Sequence, residues 1–286
     1  MMRKTLSGVS QKIQKIDSNL RLNHYKIKDF EPNVAFNFER GHFLVKTVEN
    51  GDELEQCLRL RYEIFHREFL KKKREIGVDI DKLDFMCDHL AILDKRHDNR
   101  VIGTYRLNCS RFTDTFYSAT EFKIGKLLEQ DGHKLELGRA CIDKDYRNGV
   151  VITLLWRAIA EYLLQTDSKF LFGCASVKTM DLNEAALVHS HLTDLGIIDS
   201  EYQIEPTSKY VFPELHERVE KLRGENLKLT EEQIKTLIPP LFASYIKMGV
   251  RVCGEPALDK DFQCIDFLTV LKMDELNPLF VRKYKV

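Results

Sequence analysis

Glu136 and Arg139 interrupt an otherwise apolar stretch, KLELGRACID at 134–143, in which Leu135, Leu137, Ala140, Cys141 and Ile142 belong in a core. A carboxylate on such a strand can take a proton from an attacking nucleophile, and a guanidinium can hold that carboxylate or a substrate's. In a regular strand, positions 136 and 139 face opposite sides. Gly138 between them predicts a bulge, which inserts one residue, turns both side chains to one face and drives the strand away from its neighbour. Backbone groups left unpaired by that splay would suit an extended ligand. A Glu–Arg pair serving only the fold would contribute little, because desolvation consumes much of its attraction. Chemistry is the stronger reading.

Other polar residues fall into patterns. Arg61, Phe65 and Glu68 share one helical stripe at i, i+4 and i+7. The loop DIDKLDFMCDH, 79–89, spaces Asp79, Asp81, Asp84 and Asp88 ahead of His89. It lacks the glycine and terminal glutamate of a calcium loop. LKKKR, 70–74, is a basic run beside it, suited to an acidic protein partner or phospholipid headgroups. His89–Asp94 and His189–Asp194 match the His-x4-Asp spacing of glycerolipid acyltransferases. Positions five apart oppose each other in a strand and lie about 140° apart on a helix, so neither pair can work together. His189 and His191 have no further ligands nearby and Cys-x-x-Cys is absent, so no metal is expected.

These residues need elements to hold them. Strands are predicted at 41–49, 89–94, 100–109, 134–143 and 169–176, and helices at 52–70, 120–130 and 150–164. The order from residue 41 is β-α-β-β-α-β-α-β, an α/β (α+β) fold on a mixed sheet. Beyond about residue 178 the chain becomes mostly helical, with a late strand at 264–273. Residues 1–28 carry seven Lys/Arg against one acid, with Leu6, Val9, Ile13, Ile16 and Leu20 at helical spacing. That basic amphipathic helix fits an anionic membrane surface or packing on the domain behind it. The chain divides into a basic N-terminal segment, 1–40, an α/β core, 41–200, and a C-terminal extension, 201–286.

Composition bounds the function. With 43% hydrophobic and 31% charged residues over 286 positions, the chain can bury a sizeable core. A formal net charge of zero gives no global field for nucleic acid. No apolar run spans a bilayer, no leader is expected, and seven cysteines without paired spacing point to reduced thiols in a cytoplasm, with peripheral attachment to the inner membrane as the N-terminal helix allows.

The element order with its bulged fourth strand resembles the GNAT N-acyltransferases. RYEIFHRE (61–68), VIGTYRL (101–107), FYSATEF (116–122), ELGRACID (136–143) and IPPLFASYIKMGVRVCGEPALDKDF (238–262) together resemble the ornithine-lipid acyltransferase branch, also labelled hemolysins. The Arg/Phe, Asp, Arg and Glu-x-x-Arg layout is similar to acyl-homoserine-lactone synthases. The resemblance implies a donor arm between strands four and five, and carboxylates on the amino-substrate side, here Asp84 and Asp88 with the adjoining His89. It implies a pantetheine contact at Asn183, in a helix whose expected tyrosine is replaced by Leu192. The Gly-rich turn that holds the pyrophosphate of coenzyme A is reduced to RNGVVI, with Gly149 alone. That favours acyl-phosphopantetheine on acyl carrier protein as donor, with no tightly bound cofactor, although acyl-CoA stays open.

The expected reaction moves a long, 3-hydroxy fatty acyl group from acyl carrier protein to an amino acid's α-amine, with ornithine the leading acceptor. Glu136 is the expected general base. Arg139 holds Glu136 or the acceptor carboxylate, Arg106 is a second anchor, Arg61 and Phe65 line the pocket, and Trp156 fits either the core or an acyl wall. Two alternatives are an acyl-homoserine-lactone synthase using S-adenosylmethionine and a non-catalytic membrane-active or lipid-binding protein.

Overall fold

The computed structural model describes residues 27–73 and 76–276. The amphipathic segment expected at 1–28 lies almost wholly outside them. Two compact units divide the chain. The first takes Met1–Arg106 and Arg139–Leu155, the second Leu107–Gly138 and Trp156–Val286.

In the first unit, β1 (Asn37–Arg40) and β2 (Phe43–Thr47) form an antiparallel pair, and β2 runs antiparallel to β3 (Asp88–Asp94). Helix α1 (Gly51–Arg61) starts where Asn50 accepts the Glu53 amide at 3.0 Å, a side-chain cap. Its apolar face, Leu54, Cys57 and Leu58, joins Val48, Ala91, Leu93 and Val101 in one core. The helix expected over 52–70 does not stay α-helical. From Tyr62 to Phe69 it widens into a π-helix, with the Leu70 amide bonded to the Phe65 carbonyl at 3.1 Å. The stripe through Arg61, Phe65 and Glu68 is lost for that reason. β4 (Arg100–Cys109) and β5 (His133–Ile142) each pass from one unit to the other along their length.

The second unit places two short helical segments, α2 (Ser118–Glu121) and α3 (Gly125–Leu128), where one helix over 120–130 is predicted. β5 runs parallel to β6 (Ser168–Val177), which runs antiparallel to β10 (Cys264–Lys272). Helix α4 (Val150–Thr166) joins β5 to β6. Beyond β6 come α5 (Leu182–Asp194), β7 (Ile198–Asp199), α6 (Leu215–Gly224), α7 (Glu231–Leu237), α8 (Pro240–Met248), β8 (Arg251–Cys253) and β9 (Ala257–Asp259). β8 and β9 both pair with β10. β10 shows the period of two that a sheet buried on both faces requires. Ile265 and Phe267 join the core with Ala185, Val188, Val219 and Phe242, whereas Leu268 and Val270 join Phe116, Phe122, Ile124 and Phe172. This is the mixed α/β architecture that the sequence predicts.

The expected irregularity in β5 is present but displaced. The β5–β6 register shifts between His133 and Lys134 and then runs to Glu136 opposite Phe172. The left-handed residue is Arg139, with φ 51°, and not Gly138. A left-handed L-residue costs roughly 1–2 kcal/mol, and ion pairs to the Arg139 guanidinium, described below, offset that cost. Gly173 on β6 permits a close approach, because a Cβ there would lie 2.3 Å from the Leu137 carbonyl oxygen.

Candidate active-site residues

The end of α1 delivers Arg61 into a buried network of the first unit. Its guanidinium is 1% exposed and reaches two aspartates: Nε and Nη2 donate to Asp79 Oδ2 at 2.9 and 2.7 Å, and Nη1 and Nη2 to Asp84 at 2.6 and 3.1 Å. The loop is shaped by its own Asp-x-x-Asp spacing. Asp84 accepts the Asp81 amide at 2.7 Å while Asp81 accepts the Leu83 amide at 2.9 Å, a reciprocal cap on the 3₁₀ turn Lys82–Phe85. Arg106, on β4, donates to both Asp81 oxygens at 2.8 Å and to Asp84 at 3.0 Å. Arg139 adds contacts to Asp81 at 3.2 Å and to Asp79 at 3.4 Å.

Three arginines thus face three aspartates with no net charge. Burial pushes Asp79 and Asp84 up, but Arg61 together with Arg139 or Arg106 outweighs it and holds both carboxyls well below the usual carboxylate range. His66 Nε2 donates to Asp79 at 3.0 Å. His89 Nε2 donates to the Asp84 carbonyl at 2.9 Å, and burial lowers its pKa to about 4, so the ring is neutral. Most of this network is sealed. Asp81 is the opening, with a side chain 31% exposed, and Arg139 follows at 13%.

Glu136 lies in the second unit, 3% exposed. Oε1 accepts the Ser118 amide at 2.7 Å, and Oε2 accepts the Tyr117 amide at 2.9 Å and Asn108 Nδ2 at 3.2 Å. Two of these donors are amides at the start of α2, so the carboxylate fixes that turn. The expectation that Arg139 holds Glu136 gives way to this arrangement: Glu136 takes its donors from α2 and Asn108, while the Arg139 guanidinium goes to Asp79 and Asp81. Gly138 sits between them in sequence on β5, and the positive φ falls on Arg139 instead.

The remaining predicted residues scatter. Phe65 is half-buried against the core of the first unit, 6.4 Å from Phe69. Glu68 forms a bidentate pair with Arg147 at 2.7 and 2.8 Å. Asp88 accepts the Asn33 and Val34 amides at 2.7 and 3.2 Å, which anchors the strand entry. Asn183 is exposed and accepts from Arg218. Trp156 is buried, packs edge-on to Tyr245 at 5.6 Å and lines small apolar cavities with Leu171, Met248 and Leu271. Lys71, Lys72 and Lys73 are exposed. Asp79 and Asp81, which the loop spacing leaves open between a substrate-side and a solvated role, are full partners in the network, and so is His66, which the sequence does not single out. The signal available was the Asp-x-Asp-x-x-Asp spacing.

Residues 60–157 match the family profile described as the Acetyltransferase (GNAT) domain. L-ornithine N(alpha)-acyltransferase of Rhizobium meliloti (strain 1021) is 29% identical over 256 residues, 84% of this chain and 83% of that protein. The protein of the same name from Agrobacterium fabrum (strain C58) is 27% identical over 261 residues, 85% of each chain. Among solved structures, the AHL synthase LasI aligns with a TM-score of 0.44 at 17% identity, covering 82% of this chain and 91% of its own. Residues 60–157 thus carry the likeness to a GNAT acetyltransferase domain.

Proposed function

We propose that this protein transfers a long-chain, 3-hydroxy fatty acyl group from acyl carrier protein to the α-amine of ornithine. The observation that carries the acceptor is the resemblance over more than four-fifths of the chain to proteins named for ornithine N(alpha)-acylation. The charged network suits such an acceptor. Ornithine brings two ammonium groups and one carboxylate. Asp81 is the accessible anion and Arg139 the accessible cation of the balanced cluster, so an ammonium and a carboxylate can exchange into it without leaving a buried charge unpaired.

The amine nitrogen attacks the thioester carbonyl carbon. A C–N bond forms, the C–S bond breaks and the phosphopantetheine thiolate leaves. The amine must first lose a proton, and Glu136 is the group we assign to accept it, directly or through a water. The Tyr117 and Ser118 amides hold its oxygens in place. The exposed Lys71–Lys73 run supports docking of an acidic carrier protein.

Purified full-length protein incubated with ornithine and 3-hydroxyacyl carrier protein, acyl-CoA or S-adenosylmethionine, and read by mass spectrometry, tests the reading. N-acylornithine made fastest from the carrier protein is expected. A lactone formed from S-adenosylmethionine, or no ornithine amide, overturns it. Glu136→Gln should lower kcat by about 10²–10⁴-fold while the folded state persists; a wild-type rate would reduce Glu136 to the cap on α2.

A further inference from the structure

Breaking the thioester sends an electron pair onto the pantetheine sulfur, and no group described so far gives that sulfur a proton. An alkyl thiol leaves more readily than its thiolate, so an acid beside the scission point speeds the step. Leu192 on α5, which stands where the resemblance expects a tyrosine, is sealed in the core and has no proton to give.

A small cavity of the second unit brings one. The ladder between β5 and β6 ends with Glu136 opposite Phe172. At the next step Leu137 and Gly173 line the cavity together with Cys174, Trp156, Thr269 and Tyr245. Phe172 and Cys174 face the cluster around Phe116 and Phe122, on the side where the Tyr117 and Ser118 amides hold Glu136. Tyr245, on α8, packs against the cluster of Ala175, Val177 and Phe267 on the other face of β6, and edge-on to Trp156 at 5.6 Å. The cavity therefore reaches both faces of the sheet where strand pairing stops.

Four of its lining side chains carry hydrogen on oxygen, nitrogen or sulfur, and three of them make poor acids. The Thr269 hydroxyl donates to the Gly173 carbonyl at 2.9 Å, and aliphatic alcohols and the Trp156 indole are too weak as acids. Burial pushes the Cys174 thiol well above its usual range, and that thiol donates to Glu121 Oε2 at 3.7 Å. The phenol remains. As classes, phenols titrate near about 10 and alkyl thiols near about 8.5, close enough for one to supply the other.

Resting on the acyl-transfer reading above, we propose that the Tyr245 hydroxyl is the general acid for the departing phosphopantetheine thiolate. The C–S bond breaks, its electron pair goes to sulfur, and the phenolic proton follows to give the free thiol. The phenolate then regains a proton from water. Glu136 takes the proton of the amine on one face of the opening and Tyr245 gives one on the other, so each works on its own side of the reacting carbon. The acid comes from α8, late in the chain.

Tyr245→Phe keeps the ring beside Trp156 and removes only the hydroxyl. With 3-hydroxyacyl carrier protein and ornithine, kcat should fall about 10²-fold while KM for both substrates holds. The same acyl group carried on thiophenol, whose thiolate leaves without a proton, should shrink the deficit to under about threefold. Circular dichroism checks that the variant is folded. A wild-type arm stands without any variant: across a series of alkyl and aryl thioesters the rate should depend weakly on the acidity of the leaving thiol, and a steep dependence overturns the proposal. A Tyr245→Phe rate equal to wild type, or a deficit of the same size with thiophenol, also overturns it, while N-acylornithine made by the wild type keeps the acyl-transfer reading standing. No ornithine amide from the wild type sinks both.

Discussion

The arginine–aspartate network of the first unit and the cluster of Asp259, Cys264, Asp266 and Glu121 in the second both bury carboxyl groups and resolve the cost in opposite ways. In the first, Arg61, Arg106 and Arg139 meet Asp79, Asp81 and Asp84 charge for charge, and Asp79 and Asp84 are held ionised. In the second, burial pushes Glu121 and Asp266 up instead, with the charge of Asp266 adding to it at Glu121 and that of Asp259 at Asp266, and among the described residues no cationic side chain pairs with them. Burial raises the carboxyl pKa in both, and the neighbour decides whether that is met by a countercharge or by a proton. A balanced cluster can accept a zwitterion at its open edge. An unbalanced one favours the protonated carboxyl.

Arg61→Leu should break the balance most severely. It leaves Asp79 and Asp84 buried with one guanidinium fewer, a loss of about 3–5 kcal/mol for breaking a buried pair, to be read from urea denaturation. The opposite cluster should respond with the opposite sign. Glu121→Gln removes one buried carboxyl and supplies an amide donor in its place, so stability at neutral pH should hold or rise, by up to about 1 kcal/mol. A fall of several kcal/mol on that substitution would erase the distinction.

Acid should act in two stages on the first unit. His89 is neutral when folded and titrates at about 4, below its unfolded value of about 6.5, so its contribution is lost as pH falls through that window. Asp79 and Asp84 have folded values below the unfolded value of about 3.9, so their contribution is intact above it and lost on further acidification. Stability measured against pH should therefore fall gently and then steeply. Arg61→Leu should flatten the second stage, and a curve unchanged by that substitution would contradict the network. The smallest effect belongs to the exposed Glu68–Arg147 pair, where Glu68→Gln should cost under about 1 kcal/mol, with kcat unchanged if Glu68 is no part of the acceptor site.

Hydrophobic period and turn chemistry were sufficient for the strands at 89–94, 100–109, 134–143 and 169–176, because each follows from local alternation or a continuous buried run. They also placed Glu136 and Arg139 on one strand and Arg61 on the preceding helix. The π-helix after Arg61 was not legible: its hydrogen bonds depend on what the widened turn packs against, and YEIFHREF reads as ordinary helix. Nor was the left-handed residue. Local propensity assigns it to Gly138, but the ion pairs that Asp79 and Asp81 make, from some sixty positions earlier, select Arg139.

Residue types and short spacings were therefore the sequence's own contribution, including the Asp-x-x-Asp turn and the strand that bears the carboxylate. Partner choice belonged to the tertiary structure. Only strand pairing sets Asp259 opposite Cys264, and only the packing of α2 brings Glu121 to Asp266. A charge finds its partner through space after burial has removed water, and separation along the chain carries no information about that distance.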